Sequence, residues 1–154
     1  ALTGYRWAYG EYDMFDNDIV GLRSLAGGID GRSAGQEARA PNATMILVQG
    51  LLAEQAAAYR IQKEMEQEQS ERPFFSYVDL NQNLDANEAT LADAREQVQH
   101  LFGVILTQDV ETEGVEVDAL LDLWRDIYSL TEDSVEAWTV VTAALLRDPN
   151  YLLY

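Results

Sequence analysis

Along four separate stretches of this chain the apolar side chains recur every three or four residues, a spacing that fits a helix and defeats a strand. One stretch sets Leu91, Ala94, Val98, Leu101 and Ile105 on a single line. The next, over residues 115–129, uses Val117, Leu120, Leu121, Trp124, Ile127 and Tyr128. A third turns Val135, Trp138, Val141 or Thr142, and Leu145 inward. The longest starts after Pro41, runs to about residue 69, and carries two stripes: Met45, Val48, Leu52 and Tyr59, and beside them Leu47, Leu51, Ala58 and Ile61. Two stripes predict burial on more than one side, which makes this the expected central helix. Its polar last turns, residues 63–69, are expected to stand in solvent.

The punctuation agrees with these spans. Asn42 can cap the first long helix, Asp85 with Glu88 resembles a capping box for the second, and Thr131 or Asp133 can cap the fourth. Asp148-Pro149 stops the fourth, because proline cannot continue a helix. After the break at Glu71-Arg72-Pro73, the apolar connector Phe74, Phe75, Tyr77 and Val78 is expected to plug the core. The expected fold is therefore all-α, a four-helix-type bundle over residues 42–154 behind an irregular, aromatic- and Gly-rich segment, 1–41. The 154 residues suit one domain, which at this size buries about two thirds of the surface its unfolded chain exposes. No internal repeat is present.

In the N-terminal segment Ile19, Leu22 and Leu25 suggest a short helix over residues 18–25, and Gly27, Gly28, Gly31 and Gly35 then break the chain into loop. Tyr5, Trp7, Tyr9, Tyr12 and Phe15 crowd the same region and are the partner-binding candidates, since rigid aromatic rings give contact area at low entropy cost. Closing the open end of the bundle would occupy the same side chains.

Charge and missing residue types exclude many functions. Asp and Glu number 27 against 10 Lys and Arg, a net charge of -17 that repels phosphate backbones and anionic lipids. Nucleic acid is therefore not an expected partner. No run of eighteen apolar residues exists, so no transmembrane span is expected. With no Cys and one His, His100, the chain supplies neither thiolate ligands, nor a haem-attachment motif, nor a two-His metal site, and no cofactor is expected. The acidity is lopsided. Residues 1–77 hold 11 acids and 7 bases, whereas residues 78–154 hold 16 acids and 3 bases, a balance of -13.

Several constellations invite chemistry. Asp79, Asn81, Asn83 and Asp85 place oxygen ligands at alternate positions, as a calcium loop does, but Leu84 stands where that loop needs Gly and Thr90 where it needs a bidentate acid. A polar loop leading into a capped helix accounts for the same residues. Asp118, Asp122 and Asp126 form an acidic stripe, for which a solvated helix face is the ordinary reading. His100 lies four residues after Glu96, and an exposed i,i+4 pair is expected; no sequence neighbour makes it a catalytic base for Ser129 or Ser134. The run of residues 27–33 lacks the Lys and spacing of a phosphate loop, and Asn42-Ala43-Thr44 matches the glycosylation acceptor pattern while coinciding with a helix cap.

Residues 137–154, Ala137-Trp138-Thr139-Val140-Val141-Thr142-Ala143-Ala144-Leu145-Leu146-Arg147-Asp148-Pro149-Asn150-Tyr151-Leu152-Leu153-Tyr154, resemble a closing motif of large exported planctomycete and myxobacterial proteins. That motif is an apolar helix, a leucine-rich turn, a small or acidic residue, Pro, then an aromatic-leucine-tyrosine run. Residues 118–128 and Ala40-Pro41-Asn42-Ala43-Thr44-Met45 also look like parts of that domain, so the resemblance covers about half the chain. It implies export, to periplasm or outside the cell, in the company of c-type cytochrome segments, and it transfers no functional residue. The start at Ala1 and the apolar finish at residues 151–154 suggest a processed piece of a longer product.

The expectation is a non-catalytic accessory or interaction subunit of an exported assembly, with a basic or cytochrome-type protein partner. The alternative is a carboxylate-based calcium-binding domain or metal-dependent enzyme working through residues 79–85 or the Asp118 stripe.

Overall fold

The structure, a computed structural model, describes residues 2–9, 11–13, 22–26 and 42–148. A two-residue antiparallel ribbon comes first, β1 (Ala8–Tyr9) on β2 (Tyr12–Asp13), with Ala8 opposite Asp13. Five helices follow: α1 (Leu22–Leu25), α2 (Ala43–Met65), α3 (Glu88–Leu101), α4 (Val115–Thr131) and α5 (Ser134–Leu146). The four long ones pack together as the expected all-α bundle. Of the short helix expected over residues 18–25, four residues are helical; 18–21 lie outside the described residues.

Three of the four long helices start on a side-chain cap. Asn42 Oδ1 accepts from the Met45 N–H at 3.0 Å, Asn87 Oδ1 from Thr90 at 3.0 Å, and Asp133 Oδ1 from Val135 and Glu136 at 2.9 and 3.1 Å. The α3 cap is thus Asn87, two residues beyond the Asp85 expected. Asp85 is drawn away by Arg125, whose guanidinium donates to both its carboxylate oxygens. At the far end of α3 the chain adds a π-turn over Phe102–Leu106 and leaves it through Thr107 in the left-handed conformation. The wider turn brings Phe102, Ile105 and Leu106 all into the core.

The helix buried on two sides is α5, not α2. It packs most extensively on both α2 and α4, and most of its thirteen residues are buried. Its single charged residue is Glu136, and Ala137, Thr142 and Ala143 let both neighbours come close. On α2, Met45 and Val48 are buried as expected, but Leu47, Leu51 and Ala58 of the second stripe are exposed and only Ile61 turns inward. The aromatic heart of the core is a chain of rings. Phe75 meets Trp138 edge-on at 5.7 Å, Trp138 lies 6.1 Å from Trp124, and Trp124 stacks on Tyr128 at 4.8 Å.

The connector plugs the core as the sequence suggests, with Phe74, Phe75 and Val78 buried. What holds it is unexpected. Glu64, in the stretch expected to protrude, is fully buried, and α2 ends one residue later at Met65. Its carboxylate accepts from the backbone N–H groups of Phe74 (3.3 Å) and Phe75 (3.2 Å) and from Arg60, whose guanidinium also lies 4.8 Å from the centre of the Phe74 ring. From α3 the fully buried Gln97 donates to the Phe74 carbonyl and accepts from the Tyr77 N–H at 3.1 Å. Arg72 closes the end of α2 by donating to the carbonyls of Glu64 and Gln67 at 2.9 and 3.1 Å.

Glu64→Gln keeps the shape of this lock and removes its charge, so the single amide oxygen can serve either the two backbone donors or Arg60, and its NH2 group is turned against the other. Stability should fall by about 3 kcal/mol, read as a lower urea midpoint, because removing one partner of a buried charge pair leaves the others uncompensated. An unchanged midpoint would show that the charge of Glu64 contributes nothing to holding the connector.

Candidate functional site

The most distinctive surface is the loop between α3 and α4 and the first turn of α4. Two α3 side chains fix its backbone. Gln99 donates to the Val110 carbonyl at 2.7 Å and accepts from the Thr112 hydroxyl at 2.9 Å, while Arg95 donates to the Thr112 carbonyl at 3.2 Å. Arg95 also pairs with Asp118 on α4 at 2.7 Å, so loop and helix are clamped as one piece. The held loop displays Asp109, Glu111, Glu113 and Glu116, all exposed, around Val115, which is 78% exposed. Glu116 and Asp118 in the first turn of α4 suit the positive end of the helix dipole.

Within residues 78–154 every arginine is already engaged. Arg95 pairs with Asp118, Arg125 bridges Asp85 and Asp122 at 3.0 Å each, and Arg147 reaches Glu54 on α2. The Asp85 carboxylate bonded to the Arg125 guanidinium, with Asp122 beside it, raises that group above the ordinary arginine range. Most of the sixteen acids of that half therefore face solvent with no basic neighbour from their own half. These loop residues were not singled out from sequence. The signal was present in the run Glu111-Thr112-Glu113-Gly114-Val115-Glu116, a charge cluster between two apolar-periodic segments.

Asp79, Asn81, Asn83 and Asp85 are laid out by a simple alternation in which Leu80 and Leu84 point into the core and the polar positions face outward. Asp79 Oδ1 accepts from the Asn81 N–H at 3.0 Å and from its amide at 3.3 Å, and Asn83 Oδ1 accepts from the Asp85 N–H at 2.9 Å. Such turns, in which a side chain accepts from its own backbone two residues on, organise a loop without an ion. Ser134 at the start of α5 ties the loop down by donating to the Gln82 carbonyl at 2.9 Å. Among the described residues no group of three or more His, Asp or Glu side chains is placed to hold a metal ion.

The acidic stripe of α4 is divided, with Asp118 on Arg95, Asp122 on Arg125, and Asp126 exposed. His100 does not pair with Glu96. Its Nε2 lies 2.9 Å from the Pro73 carbonyl and its ring 5.5 Å from that of Tyr77, because the connector crosses this side of α3. The hydroxyls of Ser129 and Ser134 donate to backbone carbonyls, of Asp126 and Gln82. Asn42 is exposed at its cap position.

Of the aromatic candidates, Tyr5 is half-buried. Its ring lies 5.7 Å from Tyr59, its hydroxyl donates to Gln55 of α2, and burial pushes its pKa up. The close pass over Tyr59 uses Gly4 in a left-handed conformation, φ +71°. Trp7 is half-buried, whereas the side chains of Tyr9 and Tyr12, all of Phe15 and the glycine loop of residues 27–33 lie outside the described residues. Part of the aromatic segment thus serves as a lid on α2.

No described helix is long and apolar enough to cross a membrane. Comparison with known proteins returned no matching family model, no matching curated protein and no matching solved structure.

The acidic loop is closed by a tight turn in which Gly114 donates to the Glu111 carbonyl at 2.8 Å. A Cβ on Gly114 would stand 2.8 Å from that same backbone oxygen, whereas the nearest atoms to one on Gly50, in α2, would be those of the Arg147 guanidinium, at 3.4 Å, an ordinary van der Waals distance. Gly114→Ala should cost about 1–3 kcal/mol by forcing the turn open. Gly50→Ala should add about 0.5–1 kcal/mol by restricting the unfolded chain. Urea denaturation of the two variants checks both signs, and a neutral Gly114→Ala would show that the loop relaxes without cost.

Proposed function

We propose that this chain is a non-catalytic interaction domain, an accessory part of an exported assembly, that docks a basic protein partner of the cytochrome type through the α3–α4 loop and the start of α4. The observation that carries the reading is the loop itself, with Asp109, Glu111, Glu113 and Glu116 exposed around Val115 and none of them in an ion pair with the arginines of that half, which are paired with Asp118, Asp85, Asp122 and Glu54. A rim of lysines and arginines on a partner would meet these carboxylates without displacing an internal ion pair. The exposed valine gives the contact an apolar centre. A field of one sign speeds encounter with an oppositely charged surface and suppresses wrong partners. The export and cytochrome parts rest on the resemblance of residues 137–154. The non-catalytic part is supported by the engagement of His100, Ser129 and Ser134 with backbone carbonyls.

Gentle native purification followed by mass spectrometry of co-migrating chains tests the reading. A basic subunit should accompany the wild-type chain at fixed stoichiometry, dissociate as salt rises, and be lost from the double variant Glu111→Lys, Glu113→Lys. A solitary chain, or a partner that the double variant retains undiminished, would sink it.

A further inference from the structure

We propose that a cleft beside Tyr77, remote in sequence from the acidic loop, is a binding site for a small organic cation, an alkylammonium or quaternary ammonium group. The cleft encloses about 170 Å³, below the usual range of roughly 300–1,000 Å³ for pockets that take drug-sized ligands, so its guest is small. Its wall is built by the connector, the loop after it, α3 and α5.

Among its lining residues are two carboxylates, Asp79 and Asp93, and no Lys, Arg or His. An anion would be repelled there, and the -13 balance of residues 78–154 deepens that preference. Asp93 makes no hydrogen bond or ion pair to the described residues, so its charge is uncommitted. Tyr77 supplies an aromatic wall that is 42% exposed, over buried Val78 and Trp138. Aromatic rings beside carboxylates suit a cation that carries its own apolar sleeve, as an ammonium with methyl or methylene groups does.

The framework of the cleft is already in place. Gln82 donates to the Thr90 hydroxyl at 3.5 Å, and Gln69 donates to the Ser76 carbonyl at 3.1 Å. Gln97 and Glu64 fix the connector that carries Tyr77, so the aromatic wall is held from beneath by its backbone. The same chemistry argues against a bare divalent ion. Asp79 already accepts two bonds from Asn81, and no group of three His, Asp or Glu is gathered at any described position. An organic monocation needs one carboxylate and an aromatic face, and the cleft provides both.

The test is a titration followed by amide chemical shifts, using tetramethylammonium and butylammonium, each beside a neutral alcohol of the same shape, and a short lysine-containing peptide. The ammonium ions should shift Tyr77, Gln82, Thr90 and Asp93 saturably below about 50 mM, and the alcohols should not. Asp93→Asn and Tyr77→Leu should each weaken binding about tenfold, and both sites are exposed enough that unfolding curves should stay near wild type. Tighter binding of the peptide than of butylammonium at the same residues identifies a partner's lysine as the source, whereas the reverse order identifies a free amine; both orders uphold the site. No saturation by ammonium or peptide, equal binding of the alcohols, or indifference to Asp93→Asn overturns it. The readout is independent of the acidic loop, so loss of the protein partner from the Glu111 and Glu113 variants leaves this outcome unaffected.

Discussion

The buried carboxylate of Glu64 is the constraint around which the bundle is arranged. A charge without access to water is tolerated only when its lone pairs are filled, and here the backbone of Phe74 and Phe75 and the guanidinium of Arg60 fill them. The consequence is geometric. Two consecutive backbone N–H groups can meet one carboxylate only if the connector turns across the end of α2 at this point, and that turn delivers Phe74 and Phe75 into the core. Phe75 then meets Trp138, and through it Trp124 and Tyr128, so the packing of α5 against α4 is continuous with a hydrogen-bonded anchor at the end of α2.

The same device recurs at the long connections among the described residues. Polar side chains on helices bind the backbone of loops that would otherwise have to be held by apolar burial alone. Gln97 grips the connector, Gln99 and Arg95 grip the α3–α4 loop, and Ser134 grips the loop before α3. Irregular backbone near a core must place its carbonyls and amides somewhere, and amide side chains do so with both a donor and an acceptor. Gln97 is the fullest case, donating to one connector carbonyl while accepting from a connector N–H three residues on. Loops held in this way can present charge at fixed positions, which links the packing of the bundle to the surfaces proposed for binding.

The bundle was legible because helical periodicity and capping are local. Asn42 caps where the sequence places it, Asp133 is the one of the two candidates, Thr131 and Asp133, that caps the fourth long helix, and the lines through Val98 and through Trp124 face the core as their spacing requires. What was not legible depends on which element ends up beside which. Glu64 reads as one more charge in a polar stretch, and only the crossing connector makes it a core residue. Leu47 and Leu51 read as a second buried stripe, yet α5 takes the two-sided position because it is apolar nearly all round. Asp85 looked like a cap until Arg125, forty residues away, proved the stronger partner. The candidate sites follow the same rule. The charge run at Glu111, Glu113 and Glu116 is visible in one line of sequence, whereas the lining of one cleft by Tyr77, Asp93 and Trp138 requires the fold.

Scarcity of bases gives the molecule its outward character. A chain with net charge -17 loses stability to self-repulsion, and the way to limit that loss is to place each arginine where it joins distant parts of the chain. Arg95 joins α3 to α4, Arg125 joins the loop before α3 to α4, and Arg147 joins the end of α5 to α2, where it also donates to the Gly50 carbonyl at 3.3 Å. These pairs are half exposed, so each contributes modestly to stability, but together they fix where positive charge can appear. None of these three arginines forms an ion pair with Glu111, Glu113 or Asp93, although Arg95 holds the backbone of the loop between the two glutamates. Among the described residues, the arrangement that limits repulsion inside the fold thus leaves the carboxylates of the α3–α4 loop and Asp93 outside any ion pair, and both binding proposals rest on that.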